Sequence, residues 1–153
     1  MLDGISSQPG TYLLIFHSAR ASSIKVGKLG QIELASGYYF YIGSAFGPGG
    51  VRARVRHHHG ISQKPHWHLD YIRPLLSLQA ICYSIDASRY EHEWANILSG
   101  ELHMQAPSPG LGASDCRCHS HFFYTRSEPA QSSIISALKK NNKNLNLSIV
   151  EHI

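Results

Sequence analysis

Apolar and polar residues run along the chain in short stretches whose period alternates between two and about four. Residues 10–16, Gly-Thr-Tyr-Leu-Leu-Ile-Phe after Pro9, are rich in β-branched and aromatic side chains and predict a buried strand. Residues 23–26 and 31–34 alternate polar and apolar around Gly-Lys-Leu-Gly, which predicts a hairpin. Residues 37–43, Gly-Tyr-Tyr-Phe-Tyr-Ile-Gly, predict another strand, closed by the glycine-rich loop 47–50. Residues 51–59 then change period. Val51 and Val55 share one helical face, Arg52 and Arg56 a second, Arg54 and His58 a third.

Downstream, residues 68–76 predict a second helix interrupted by Pro74, and residues 78–85 a strand. Ser88 is placed to cap a helix over 89–98, with Glu91 at its third position. A loop over 107–112, a short strand over 121–124, a helix over 130–140 and a polar break over 141–146 follow, and no element is assigned from Leu147 onward. This order predicts one small α/β (α+β) domain over 1–153: a largely antiparallel central sheet flanked by helices. Its core spans about 8–126, with a C-terminal helix and tail over 127–153.

Composition narrows the class. Apolar residues make up 42% of the 153, too many for a disordered chain. The longest apolar runs, 12–16 and 38–42, fall far short of the roughly 20 residues that span a bilayer, so no membrane partner is expected. The N-terminus lacks the basic start and apolar core of a signal peptide, and three cysteines give no disulfide framework, so a cytoplasmic location is expected. Charge adds a direction. Fourteen Lys and Arg oppose ten Asp and Glu, and no acid stands between Glu33 and Asp70. That window holds Arg52, Arg54, Arg56 and Lys64 and so carries the whole net +4. A concentrated positive field favours a polyanionic partner.

Two tyrosines lie in glycine-flanked strands, Gly10-Thr11-Tyr12 and Tyr41-Ile42-Gly43. A basic helix follows them, and later a helix carrying Glu91. In this order and spacing the chain resembles the GIY-YIG nuclease superfamily, and within it a compact bacterial and archaeal branch. The first signature reads Gly-Thr-Tyr here and the second is intact; the resembling segments cover most of 10–124. The resemblance implies a metal-dependent endonuclease that hydrolyses nucleic-acid phosphodiesters, DNA before RNA. It implies Arg54, three residues after Val51, as the catalytic arginine, and His58, four residues later, as its partner. It implies Glu91, three residues before Trp94, as the metal-binding glutamate, with Glu93 as the runner-up. Related families often add a late Asn; Ser114 and Asp115 are the candidates for that place.

The residue chemistry agrees. A divalent cation such as Mg²⁺ or Mn²⁺ on the Glu91 carboxylate would polarise a phosphate and its leaving group. The planar Arg54 fork matches phosphate oxygens and stays charged. Tyr12 titrates near 10 in isolation; arginine and metal charge nearby would lower it and help it activate water. Tyr41 and His58 would hold the phosphate or share the proton. Gly43 would let the backbone turn beside substrate, and Arg52, Arg56, His57 and Lys64 would contact the nucleic-acid backbone.

The remaining histidines and cysteines invite a metal reading. Successive helical histidines point in different directions, so 57–59 do not form one site by themselves, and DNA contact or packing is expected. Cys116, Cys118, His119 and His121 resemble a zinc cluster, but the Cys-x-Cys gap is tighter than zinc sites commonly use, so zinc is not expected there. Two other classes fit the same pattern: a catalytically inactive GIY-YIG-fold module that binds nucleic acid, and a zinc-stabilised interaction domain.

Overall fold

Residues 12–16 can be apolar without alternation only if both faces of the strand are covered, and they are. In the computed structural model, which describes residues 2–108, 111 and 120–151, β1 (Gly10–Ser18) is the middle strand of a five-stranded sheet. The other strands are β4 (Gly37–Ala45), β5 (Ser77–Ser84), β6 (Phe122–Thr125) and β7 (Leu147–Glu151). The order is β6-β4-β1-β5-β7 and every pairing is antiparallel. The expected hairpin, β2 (Ser22–Val26) and β3 (Gly30–Leu34), forms a separate two-stranded sheet joined by a 3₁₀ turn. The molecule is an α+β fold, as its sequence pattern predicts, with four α-helices among the described residues.

Alternation along β1 and β4 divides the molecule into two layers. Tyr12, Leu14, Phe16, Tyr39 and Tyr41 face α1 (Gly50–His59), α2 (His68–Ile72) and the hairpin, forming one core with Val51, Val55, Leu69 and Ile72. Leu13, Phe40 and Ile42 face the other way, toward Trp94, Ala95 and Leu98, and toward Ile134 and Leu138 of α4 (Gln131–Lys139). The first turn of α1 is tied to the N-terminal segment: Val51 and Arg52 donate their backbone N–H to Gln8 O (3.0 Å) and Ser6 O (2.9 Å).

Two boundaries differ from the sequence pattern, each for a local reason. The helix expected from Ser88 begins at Glu91 as α3 (Glu91–Asn96), continued by a π-helical turn over Ile97–Glu101. Asp86 holds the approach as a turn: its carboxylate accepts from Ser88 N–H (2.9 Å) and from the Tyr90 hydroxyl (3.0 Å). Tyr90 N–H then donates to Thr11 Oγ1 (3.2 Å), which pins the start of α3 to β1. Glu91 is therefore the first residue of its helix rather than the third. The second difference is the tail, where β7 adds an edge strand to β5. No described helix is long and apolar enough to cross a membrane.

Candidate active site

The register of β1 on β4 builds the centre. Tyr12 stands opposite Gly43, and Tyr41 is two residues along on the same face. Their rings lie 6.4 Å apart. Gly43 is glycine because Tyr12 occupies its side-chain space: a Cβ there would fall 2.2 Å from the phenolic oxygen. What the missing side chain of Gly43 accommodates in this structure is Tyr12 itself. Gly43→Ala should displace the phenol and lower stability by about 1–3 kcal/mol, as overpacking does. A denaturant midpoint equal to wild type would contradict this.

Helix α1 supplies the next groups, and its faces sort as the pattern predicts. Arg54 and His58 point to the tyrosines. His58 is buried, with its ring 5.9 Å from Tyr12 and 5.3 Å from Tyr41, and its Nε2 3.1 Å from the Tyr12 hydroxyl. The Arg54 guanidinium lies beside the Tyr12 hydroxyl and 4.5 Å over the Trp67 ring. A small cleft of about 110 Å³ opens next to it, lined by Gly47, Pro48, Ala53, Arg54, His57 and Trp67.

The other face of α1 is engaged within the chain. Arg52 donates from Nε to Ile5 O (2.7 Å) and from Nη2 to Asp3 O (3.3 Å), and Arg56 pairs with the Asp3 carboxylate (2.6 Å). These two arginines bind the N-terminal segment, so the structure does not gather them with Arg54. Lys64 is exposed in the loop between α1 and α2. His57 also has an internal role, with Nε2 2.8 Å from Asp70 Oδ1.

Asp70, which sequence reasoning missed, closes the acid-free window in space. One carboxylate oxygen, Oδ2, accepts the backbone N–H of His66 (2.8 Å) and Trp67 (3.0 Å), holding the start of α2. The other, Oδ1, faces both His57 and the Nδ1 of His58, the latter at 3.8 Å. Adjacent helical histidines therefore do converge, on a carboxylate from another helix. The donor atoms of His57, His58 and Asp70 lie within 4.8 Å of one another, close enough to hold one metal ion.

Glu91 reaches the same end of the sheet from the opposite layer. Its Oε1 is 2.7 Å from His121 Nδ1, and its Oε2 accepts from the Ser44 hydroxyl at 2.6 Å. Its side chain is 22% exposed, and its charge acts on Tyr12. A partly exposed carboxylate braced by two outer groups suits a hard cation that keeps several waters, so Glu91 fits the expected Mg²⁺ or Mn²⁺. Ser44 and His121 are further residues that sequence reasoning missed in this role. Glu93 Oε2 is buried and has no hydrogen-bond partner among the described residues. Ser114, Asp115, Cys116, Cys118 and His119 lie outside the described residues, so the zinc question falls there, apart from His121, which serves Glu91.

The charge states follow from burial and neighbours. Burial raises the Tyr12 phenol well above its ordinary value; Tyr41 and Glu91 add to this, and Arg54 opposes it. Arg54 acts in the expected direction, but burial outweighs its charge taken alone. Burial pushes His58 down to about 3, against the pull of Asp70. Burial alone would raise the Glu91 carboxyl, but the hydrogen bonds from His121 and Ser44 hold it below the usual value. Asp70 is likewise held down, against its burial, by the backbone N–H groups of His66 and Trp67 and by His57.

These shifts predict an acid-sensitive fold. The unfolded chain protonates His58 near pH 6.5 and the folded chain does not, so stability falls as pH drops from 6.5 toward 3. At pH 5 the loss is about 2 kcal/mol from His58 alone. His68, lowered by burial, acts in the same direction. Asp70 and Glu91 withdraw their contributions only lower, as pH falls below the ordinary carboxylate value. Urea midpoints at pH 7 and 5 should differ in wild type and differ less in His58→Gln. Equal midpoints in wild type would contradict the burial of a neutral His58.

No curated protein and no solved structure matches the chain. A family described as "Domain of unknown function DUF123" matches residues 11–143, a span that contains every site residue from Tyr12 to His121, and the chain belongs to that family.

Proposed function

We propose that the protein is a GIY-YIG-type nuclease that hydrolyses phosphodiester bonds, most naturally those of DNA, at the Tyr12–Arg54–Glu91 centre. The observation that carries this reading is convergence. Tyr12, Tyr41, Arg54 and His58 come from β1, β4 and α1 into one cluster, and the Glu91 carboxylate from α3 acts on the same hydroxyl. A divalent cation on Glu91, when bound, supplies charge to polarise the phosphate and stabilise the leaving oxygen. Arg54 binds the non-bridging phosphate oxygens through its planar fork.

Tyr12 is a neutral phenol at pH 7, so it acts as a relay and not as a standing base. The attacking water bonds to phosphorus and gives its proton to the Tyr12 oxygen. The Tyr12 proton passes at the same time to His58 Nε2, 3.1 Å away. The P–O bond to the leaving group breaks, and that oxygen takes a proton from solvent. Sequence-specific cutting is not expected, because contacts to phosphate and sugar carry no base identity.

One observation favours a second reading. Tyr12 is 0% exposed, as a residue kept for packing would be, and this suits a module that binds nucleic acid without cutting it. Incubating the protein with labelled single-stranded, duplex and branched DNA, and with RNA, in Mg²⁺ or Mn²⁺ separates the two. The nuclease reading expects metal-dependent products from at least one substrate. Salt-dependent binding with every substrate intact would establish the binding module instead.

A further inference from the structure

We infer that Asp70 is the positioning residue of the centre: its carboxylate fixes the tautomer of His58 that leaves Nε2 free to accept the Tyr12 proton. The inference rests on the nuclease reading for its catalytic consequence, but the tautomer itself does not depend on that reading.

The argument starts from how the two Asp70 oxygens are divided. Oδ2 is committed to two backbone N–H groups, of His66 and Trp67. Oδ1 therefore carries the free lone pairs, and it faces two imidazoles. His57 Nε2 donates to it at 2.8 Å. His58 Nδ1 is buried, makes no hydrogen bond among the described residues and stands 3.8 Å from it. That gap exceeds a hydrogen bond, as catalytic hydrogen bonds often do before substrate binds. A lone pair on Nδ1 aimed at a carboxylate would be repelled, whereas an N–H aimed there is attracted. Nδ1 thus carries the proton, and Nε2 presents its lone pair to the Tyr12 hydroxyl.

The chain of groups then runs Asp70 carboxylate, His58 Nδ1–H, His58 Nε2, Tyr12 O–H, with each proton facing an acceptor. Burial keeps His58 neutral, which preserves the acceptor. His57 braces the carboxylate from the side, and its ring packs on Trp67 at 4.8 Å, the same indole that carries Arg54. Using the three donors for a metal ion is less favourable. Both Asp70 oxygens are engaged, and the guanidiniums of Arg54 and Arg73 act on the same imidazole.

Asp70→Asn is the informative variant. The two backbone N–H groups require an acceptor, so the single amide oxygen takes the Oδ2 place and the NH₂ turns toward the histidines. The cap survives, Nδ1 of His58 becomes an acceptor, and Nε2 becomes a donor that can no longer receive a proton from Tyr12. In a carboxylate–imidazole–hydroxyl triad the same exchange costs about 10⁴ in rate.

Long-range ¹H–¹⁵N correlation of the His58 ring reads the tautomer directly and needs no activity. Wild type is expected to show a protonated Nδ1 and an unprotonated Nε2, and Asp70→Asn the reverse. Cleavage by the variant is expected to fall about 100-fold or more in kcat with KM little changed, since Asp70 does not touch substrate. Wild-type His58 protonated on Nε2, or an unchanged tautomer in Asp70→Asn, would overturn the inference. So would Zn²⁺ moving the His57 and His58 nitrogens together to metal-bound shifts. If the expected tautomers appear but the wild type cuts nothing, the nuclease reading fails and the positioning by Asp70 stands.

Discussion

Glu91→Gln should reduce cleavage by about 10³-fold or more while leaving the protein folded and able to bind DNA. The size follows from the charge removed: a metal ion contributes several kcal/mol to a phosphoryl transition state, and each 1.4 kcal/mol is tenfold in rate. Glutamine preserves shape and an acceptor, so the brace to Ser44 can persist, but it cannot hold a hard cation as a carboxylate does. The hydrogen bond with His121 is also altered, and that partner tunes the ligand rather than forming it. Single-turnover rates across a Mg²⁺ titration check this. A variant that regains wild-type rate at high metal would show that Glu91 sets affinity alone. A variant equal to wild type throughout would remove Glu91 from the site.

Arg54→Ala carries the second large effect, a loss of about 10²–10³ in kcat, the usual cost of deleting one preorganised donor to developing negative charge. Arg54→Lys should recover little of it. Lysine keeps the charge but loses the planar fork and the stacking on Trp67. Arg54→Ala should lower DNA affinity modestly, because one phosphate contact is lost, and Arg54→Lys less, because the charge is kept. Arg52→Ala is the internal comparison. Its guanidinium is committed to the carbonyls of Ile5 and Asp3, so its loss should lower stability and leave kcat near wild type. Equal losses of kcat in the Arg52 and Arg54 variants would mean that the helix faces are misread.

The architecture was legible in the sequence where period and punctuation agree. Residues 10–16 lack alternation because β1 is covered on both faces, and Val51 with Val55 names the buried stripe of α1. The tail was not legible, because the alternation of Leu147, Ser148 and Ile149 is too short to stand out after an Asn-rich break, and β5 provides the edge that makes it a strand. The start of α3 was misplaced because Asp86, accepting from the Ser88 N–H and the Tyr90 hydroxyl, holds the approach as a turn that delays the helix to Glu91.

The site divides the same way. Tyr12, Tyr41, Arg54, His58 and Glu91 are marked by short motifs, and their convergence follows from the β1–β4 register and the faces of α1. Asp70 and Ser44 carry no local signal, and the motif around His121 points to zinc rather than to Glu91. Each acts on residues distant in sequence, through contacts that only the fold creates. The cations of the window are not all turned one way: Asp3 pairs with Arg56 and Asp70 with His57, whereas Arg54 of α1 lies beside the Tyr12 hydroxyl.

The most direct test of a Tyr12–Arg54–Glu91 nuclease is a cleavage time course on end-labelled DNA, run with wild type and Glu91→Gln side by side in Mg²⁺, after chelation, and after Mg²⁺ is restored. Wild-type products should accumulate, stop on chelation and resume, with the variant inert throughout. Intact DNA with the wild type under all three conditions, or equal cutting by the variant, would contradict the assignment.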